Sequence, residues 1–371
     1  MVEWKAIGDV CKTVTPPKKL EKELYGEIGL FPIIDQGQKN IVGYTDDASA
    51  LVPQGKYILF GDHTRYVKYY EGRFAQGADG LKILKANESF TPRYFYYAFD
   101  NTEIPSRGYS RHWSIAKELQ IPIPSIAEQN RIVGILDTFT ASIDNLKEQI
   151  ALRQKQFNWY LDKLYYANKA ELLEASNRGE VVLKTLDEIG TFTRGRRFVR
   201  TDIVPEGVPC IHYGDMYTYY GVWADKTPTH LTKELSAKLR FAQKGDVIIV
   251  GAGENDIDIG VGVAWLGEED VVVHDACFIF KHNMNPKYLS YFMRSMNYHL
   301  QIRMGVVDGK ICSISAKELG RTLIAVPSME EQSRIVSILD TFEASIVNLE
   351  EQLKEREKQY EYYRNKLLTF K

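Results

Sequence analysis

The chain has 371 residues, 44% of them hydrophobic and 26% charged, with a formal net charge of −2. That length allows two or more domains with their own cores, and the composition excludes a disordered chain. No apolar run nears the roughly 20 residues that span a bilayer, and a balanced charge excludes a uniformly basic protein while leaving room for local basic patches.

The opening "MVEWKAIGDVCK" has no apolar core or cleavage site, so no signal peptide is expected. Cys11, Cys210, Cys277 and Cys312 lack metal-ligand spacing and read as reduced thiols of a cytoplasmic protein. Residues 1–122 predict a mixed globule, with strands such as "KYILF" between Gly, Asp and Asn turns and a short helix at "PRYFYYAF" started by its proline. "TPPKK" (15–19) reads as a loop only. Two stretches alternate cations with aromatics: 63–73 offers Arg65, Tyr66, Lys68 and Arg73, and 106–113 offers Arg107, Tyr109 and Arg111. Residues 123–176 predict a long helix starting near Ile126, then a polar connector, "ANKAELLEASNRGEV". Residues 177–325 predict a second mixed globule, with strands at "DVIIV", "VGVAWL" and "ACFIFK" and a short helix after Pro286. "TRGRRFVR" (193–200) packs Arg194, Arg196, Arg197 and Arg200 around one glycine, and Tyr213 and Asn255 are further polar candidates in this globule. Residues 326–371 predict a second long helix starting near Met329.

The two helices are nearly one text written twice. Glu128–Leu146 and Glu331–Leu349 differ only where Asn130, Gly134, Thr140 and Asp144 become Ser333, Ser337, Glu343 and Val347. Ile132, Leu136, Phe139, Ile143, Leu146, Ile150, Phe157, Tyr160 and Leu164 step by fours and threes, and so do Ile335, Leu339, Phe342, Ile346, Leu349, Leu353, Tyr360, Tyr363 and Leu367. A heptad seam of this length predicts a coiled coil, and two such helices in one chain most simply pair with each other. Ser125 and Ser328 are the expected caps. Arg153 and Arg356 break the seams at equivalent points, either covering apolar surface with their stems or fixing register as buried polar groups. Fainter likeness links the globules: "FPIIDQGQ" with "VPCIHYGD", and "TPRYFYYAF" with "NPKYLSYFM".

Catalytic patterns are missing from the sequence. "GAGENDIDIGVG" (251–262) lacks the lysine and helix of a phosphate loop and reads as a hairpin or loop. His274 and Asp275 suggest a base and orienter, but no nucleophile is indicated beside them. Recognition suits the residues better: Arg and Lys clamp phosphates, and Arg forms paired hydrogen bonds with guanine edges. A coiled-coil scaffold whose globules bind protein, and a hydrolase using His274 and Asp275, stay open on residues alone.

The doubled "P-S-x-x-E-Q-x-R-I-V-x-I-L-D" at Pro124–Asp137 and Pro327–Asp340, with "W-K-x-I-G-D-V" at Trp4–Val10 and "KGDVIIVGAG", resembles the specificity (S) subunits of type I restriction-modification systems. The resemblance implies an α+β fold of two target recognition domains joined by two long helices in an antiparallel coiled coil, a pseudo-two-fold internal repeat. It implies that each globule reads half of a bipartite site in double-stranded DNA. The coil, including Ile132 through Arg153 and Ile335 through Arg356, would space the globules and dock two methyltransferase (M) subunits. Two restriction (R) subunits would complete the complex. No cofactor is expected on this chain: S-adenosylmethionine belongs to the M subunit, ATP and Mg to the R subunit, and no membrane is involved.

Overall fold

The computed structural model describes residues 2–77, 79–254 and 256–370. It divides into two units, Met1–Glu148 with Glu350–Lys371, and Gln149–Leu349. Each long helix, Ile126–Leu164 and Met329–Leu368, contributes one half to each unit. No helix among the described residues is long and apolar enough to cross a membrane.

In the first unit, β1 (Glu3–Ala6) pairs antiparallel with β8 (Gln120–Ile123), so the globule closes where the chain enters the long helix. Its main sheet contains β2 (Cys11–Val14), β3 (Phe31–Ile34), β4 (Gly43–Thr45), β5 (Leu51–Gly61), β6 (Val67–Gln76) and β7 (Leu81–Ala86). The order is β2-β7-β5-β6-β3-β4, antiparallel except where β3 meets β6. β5 is apolar at successive positions because both sheet faces are covered. Ile58 and Phe60 pack with Phe95 and Phe99 of helix Pro92–Asp100, while Tyr57 and Leu59 join Phe74 and Ile83 on the other face.

The second unit repeats the plan with one cut. β9 (Leu183–Thr185) pairs with β21 (Leu323–Ala325), as β1 pairs with β8. One sheet runs β10-β19-β15-β17-β12, using Gly190–Arg194, Cys277–His282, Val247–Val250, Gly262–Trp265 and Trp223–Ala224. The other runs β13-β11-β18-β14, using Thr229–Leu231, Val208–Ile211, Val271–Val273 and Phe241–Ala242. A small pair joins β16 (Ala252–Gly253) to β20 (Cys312–Ser313). The single strand β6 of the first unit therefore corresponds to β17 and β18, separated at Leu266–Asp270. β17 is antiparallel to β15 as β6 is to β5, and β18 is parallel to β11 as β6 is to β3. The glycine-rich 251–262 stretch connects the antiparallel strands β15 and β17, in line with its reading as a hairpin or loop, and its Ala252–Gly253 forms β16.

The long helices begin at Ile126 and Met329, where Ser125 Oγ accepts from Glu128 N at 3.3 Å and Ser328 Oγ from Glu331 N at 3.2 Å. Their pairing is antiparallel: in the first unit Ile132 and Leu136 share a core with Leu368, Phe139 stacks on Tyr363 at 5.3 Å, and Lys147 pairs with Glu357 at 3.2 Å. In the second unit Tyr160 packs on Phe342 at 5.0 Å. The expected seam drifts toward the helix ends. Leu161, Tyr165 and Leu368 are buried there, whereas Tyr160 and Tyr363 are exposed. A 3.6-residue turn outruns a 3.5-residue pattern by about 20° per heptad, which turns the next residue inward. Arg153 lies 5.8 Å over the Phe342 ring and Arg356 5.7 Å over Phe139. Both are half-buried, so they cover aromatic surface and are not buried register pins.

Another expectation is corrected. The stretch after the first long helix contains a helix, Lys169–Asn177, not a bare connector. Asn168 Oδ1 caps it, accepting from Ala170 N at 3.0 Å and Glu171 N at 3.1 Å, and Leu172 and Ala175 bury one face. An apolar pair three residues apart among small polar residues left little periodic signal.

The repeated Glu-Gln has a structural cause. Gln129 is fully buried; its Oε1 accepts from Thr91 N at 2.8 Å, and its Nε2 donates to Ser89 O at 2.9 Å and Pro124 O at 3.0 Å. Gln332 does the same for Asn285 N at 2.9 Å and Pro327 O at 2.9 Å. Each glutamine bolts a globule helix to the start of a long helix. Gln129→Ala is expected to destabilise the first unit by ~1–3 kcal/mol by leaving these groups unpaired. Exposed Asn130→Ala should cost under about 0.5 kcal/mol. Equal urea midpoints for the two variants would remove the bolt.

Candidate nucleic-acid interface

In the first unit two segments meet. The turn between β5 and β6 holds Arg65 with a left-handed backbone, φ 64°, and Arg65 N donates to Gly61 O at 2.7 Å. Arg65 Nη1 then donates to Ile104 O at 2.9 Å, tying the turn to the 104–112 loop. His112 is fully buried and anchors the other end of that loop. Its Nε2 accepts from Arg107 N at 3.1 Å, so its proton sits on Nδ1, which donates to Asp62 O at 3.0 Å. Tyr109 is 88% exposed and stacks on His63 with ring centroids 4.8 Å apart. The structure thus brings together Arg65, Tyr66, Arg107, Tyr109 and Arg111, with His63 added.

Asp79 gathers more cations to the same face. A hydrogen bond from Lys19 holds its carboxyl below the usual range, and Arg111 and Lys82 lie close enough to add to that effect. Lys82 also lies 3.7 Å from buried Asp62, whose Oδ1 accepts from Trp113 N at 2.7 Å. Lys19 and Lys82 were not among the expected residues.

Two expected residues do not belong here. Lys68 is buried, its Nζ donating to Asp35 O at 3.1 Å and to Lys39 O, and burial lowers its pKa. It braces the 35–39 turn and offers nothing to a ligand. Arg73 lies over the Phe31 ring at 5.5 Å, six residues along β6 from Val67, roughly 20 Å in an extended strand. Alternation of cations and aromatics along one strand sends successive side chains to opposite faces, so a single surface could not hold them all.

In the second unit the arginine segment leaves β10 and crosses to the end of β18. Gly195 N donates to Cys277 O at 2.9 Å and Arg196 N to Val273 O at 3.1 Å. Only glycine fits at 195, because a Cβ there would lie 2.2 Å from His274 O. Arg194 Nε donates to Asp275 O at 2.7 Å and Arg196 Nη1 to Lys238 O at 2.7 Å, so these two brace the loop. The guanidinium groups of Arg197 and Arg200 make no hydrogen bond or ion pair among the described residues. Arg197 lies near His274 and Arg200 near His212, depressing the pKa of each ring in addition to the larger effect of burial.

Those rings form a small platform. His212 lies 4.8 Å from His274 and 4.6 Å from Tyr213, and Phe198 packs 5.1 Å from His274. His212 Nδ1 accepts from Gly214 N at 3.3 Å and His274 Nδ1 from Ala276 N at 3.1 Å, which leaves the proton of each neutral ring on Nε2. Burial lowers both pKa values and favours the uncharged rings; the Phe198 backbone takes a hydrogen bond from His274, which leaves His212 as the ring with a donor to offer. His274 Nδ1 is 3.2 Å from Asp275 Oδ1, yet the adjacent thiol, Cys277, is buried with its pKa pushed up to about 12 and is inert as a nucleophile. All four cysteines are free and buried. Asn255 lies outside the described residues.

The type I restriction modification DNA specificity domain model matches residues 1–153 and 179–358. The Escherichia coli EcoR124I/EcoR124II type I restriction enzyme specificity subunit is 28% identical over 100% of this chain and 94% of its own length. A putative type I restriction enzyme specificity subunit of Haemophilus influenzae is 25% identical over 100% of this chain and 96% of its own. The crystal structure of the type I restriction-modification system S subunit from M. genitalium superposes with a TM-score of 0.62 at 20% identity, covering 100% of this chain and 97% of that one.

Proposed function

The chain belongs to the type I restriction modification DNA specificity family, and we propose that it reads an asymmetric, two-part DNA site, one part per unit, while its long helices dock two copies of one methyltransferase subunit. The observation that carries the docking is which positions repeat. Glu128, Arg131, Ile135, Thr138, Ser142 and Asn145 step by threes and fours along one helix face. Their counterparts Glu331, Arg334, Ile338, Thr341, Ser345 and Asn348 are the same residues with the same exposure: Arg, Thr and Asn exposed, Glu, Ile and Ser half-buried. Even the ion pair repeats, Arg131 to Glu128 at 2.6 Å and Arg334 to Glu331 at 2.7 Å.

Packing explains identity at buried positions. It does not explain identity on an accessible stripe, particularly when exposed Asn130, Gly134 and Asp144 differ from Ser333, Ser337 and Val347. The fourth difference faces the chain's own globule: Tyr97 OH lies 3.4 Å from Thr140 Oγ1, and Tyr291 OH donates to Glu343 Oε2 at 3.0 Å. Two like stripes suit two like partners. The unlike faces, Tyr109 with Arg107 and Arg111 in one unit and the arginine and histidine group in the other, suit two unlike half-sites.

On this reading the chain performs recognition in the cytoplasm and binds no cofactor. Methylation with S-adenosylmethionine would lie in the M subunits, and ATP- and Mg-dependent cleavage in two R subunits. The test is purification of the chain with its methyltransferase partner, followed by mapping of methylated sites. One asymmetric split sequence is expected, absent without this chain. Ile135→Arg with Ile338→Arg should abolish co-purification with little loss of melting temperature. Unchanged co-purification would remove the stripe from the interface, and DNA binding without sequence preference would favour a scaffold.

A further inference from the structure

The basic loop of the second unit has a counterpart in the first that its sequence hides. Both loops leave the edge strand of the central sheet: β2 pairs antiparallel with β7, and β10 with β19. Both then cross to the end of the strand that runs parallel to β3 or β11. In the first unit Lys19 bridges Gln76 and Leu20 N donates to Gln76 O at 3.0 Å. In the second, Arg196 N donates to Val273 O at 3.1 Å. Each loop ends on a buried apolar plug, Leu20 or Phe198. The hydrogen bonds to Gln76 O and Val273 O put Leu20 at the place of Arg196, so the two loops match in path and not residue by residue, and Lys18 and Lys19 are the basic residues that the first loop carries just before that crossing.

Two further observations place these lysines toward a ligand. Both are about half exposed, each resting on an acid, Lys18 on Asp47 at 3.0 Å and Lys19 on Asp79. Asp79 also neighbours Arg111, so the loop shares the face that holds Arg107 and Tyr109. Such exposed pairs are weak in water, and a phosphate can take the place of the carboxylate.

We propose that Lys18 and Lys19 form a phosphate clamp in the first unit, equivalent in position to the arginine loop of the second; this rests on the DNA-reading function above. The change of residue changes the role. An ammonium is a compact point charge that holds phosphate without fixing a base, whereas the guanidinium fork can also read a guanine edge. The first unit therefore gains affinity from this loop, and the second unit gains affinity and sequence.

The test uses the full chain with its methyltransferase partner and a duplex carrying the mapped methylation site. Binding is followed by fluorescence anisotropy across a salt series for Lys18→Ala/Lys19→Ala. Lys56→Ala/Lys85→Ala, which removes two exposed lysines elsewhere on the same unit, is the control. The clamp predicts weaker binding and a slope of log affinity against log salt reduced by about two units, with the methylated sequence unchanged. Lys18→Arg/Lys19→Arg should restore the slope. A slope no lower than the control's, or a change in the first half-site, overturns the proposal. If the unaltered complex shows no preference for its site over a scrambled duplex, the DNA-reading function itself fails, and that result is separate from the lysine series.

Discussion

Replacing Arg197 and Arg200 with alanine is expected to abolish recognition of the half-site read by the second unit while leaving the fold intact. Neither guanidinium braces the protein, so their removal leaves no carbonyl unsatisfied. Both stand beside the His212, Tyr213 and His274 platform. A bidentate arginine contact is worth ~1–3 kcal/mol of discrimination, so losing two should weaken specific binding roughly thirtyfold or more. Arg194→Ala and Arg196→Ala should behave differently. They lose bonds to Asp275 O and Lys238 O, so melting temperature should fall along with affinity. Titration of the mapped duplex by each folded variant gives the answer. Unchanged affinity and salt slope for the Arg197/Arg200 variant would remove the cluster from the interface.

The contrast between those two pairs of arginines marks what the amino-acid order could and could not say. The long helices were legible to the residue at their starts because proline, a serine cap and an apolar heptad coincide there. The basic cluster was legible as a cluster. Its division into bracing and free arginines depends on which carbonyls β18 and the segment before Arg240 present to it, and that is a property of the sheet. Lys68 misled for the same reason: composition along "HTRYVKYYEGR" is uniform, but strand alternation turns Lys68 inward onto the 35–39 turn. Lys18 and Lys19 are hidden in the sequence because "TPPKK" resembles an ordinary loop. Only the pairing of β2 with β7 and the crossing to Gln76 show that this loop follows the path of the arginine loop in the other unit. His212 and His274 lie 62 positions apart by number, and only the parallel pairing of β11 with β18 brings their rings to 4.8 Å. Local chemistry was readable; convergence between strands was not.

Lengthening both long helices by four residues, after Glu148 and after Leu349, is expected to change the spacing of the methylated site without changing either half. These positions are the boundaries at which the chain passes between its units. Four residues add about 6 Å of helix, against about 3.4 Å per base pair, so the unread gap should widen by one or two pairs. They also add about 400° of rotation, leaving some 40° for long helices to spread over their length. Both helices must be altered because their pairing is antiparallel: with one insertion, either Phe139 would leave Tyr363 or Tyr160 would leave Phe342. The single insertion should therefore lower stability and methylation together, while the double insertion retains both at a new spacing. No recognition residue is touched in either case. Methylation of the original spacing by the double variant would show that the coil does not measure the gap, and the proposed role of the repeated helices would have to be confined to docking.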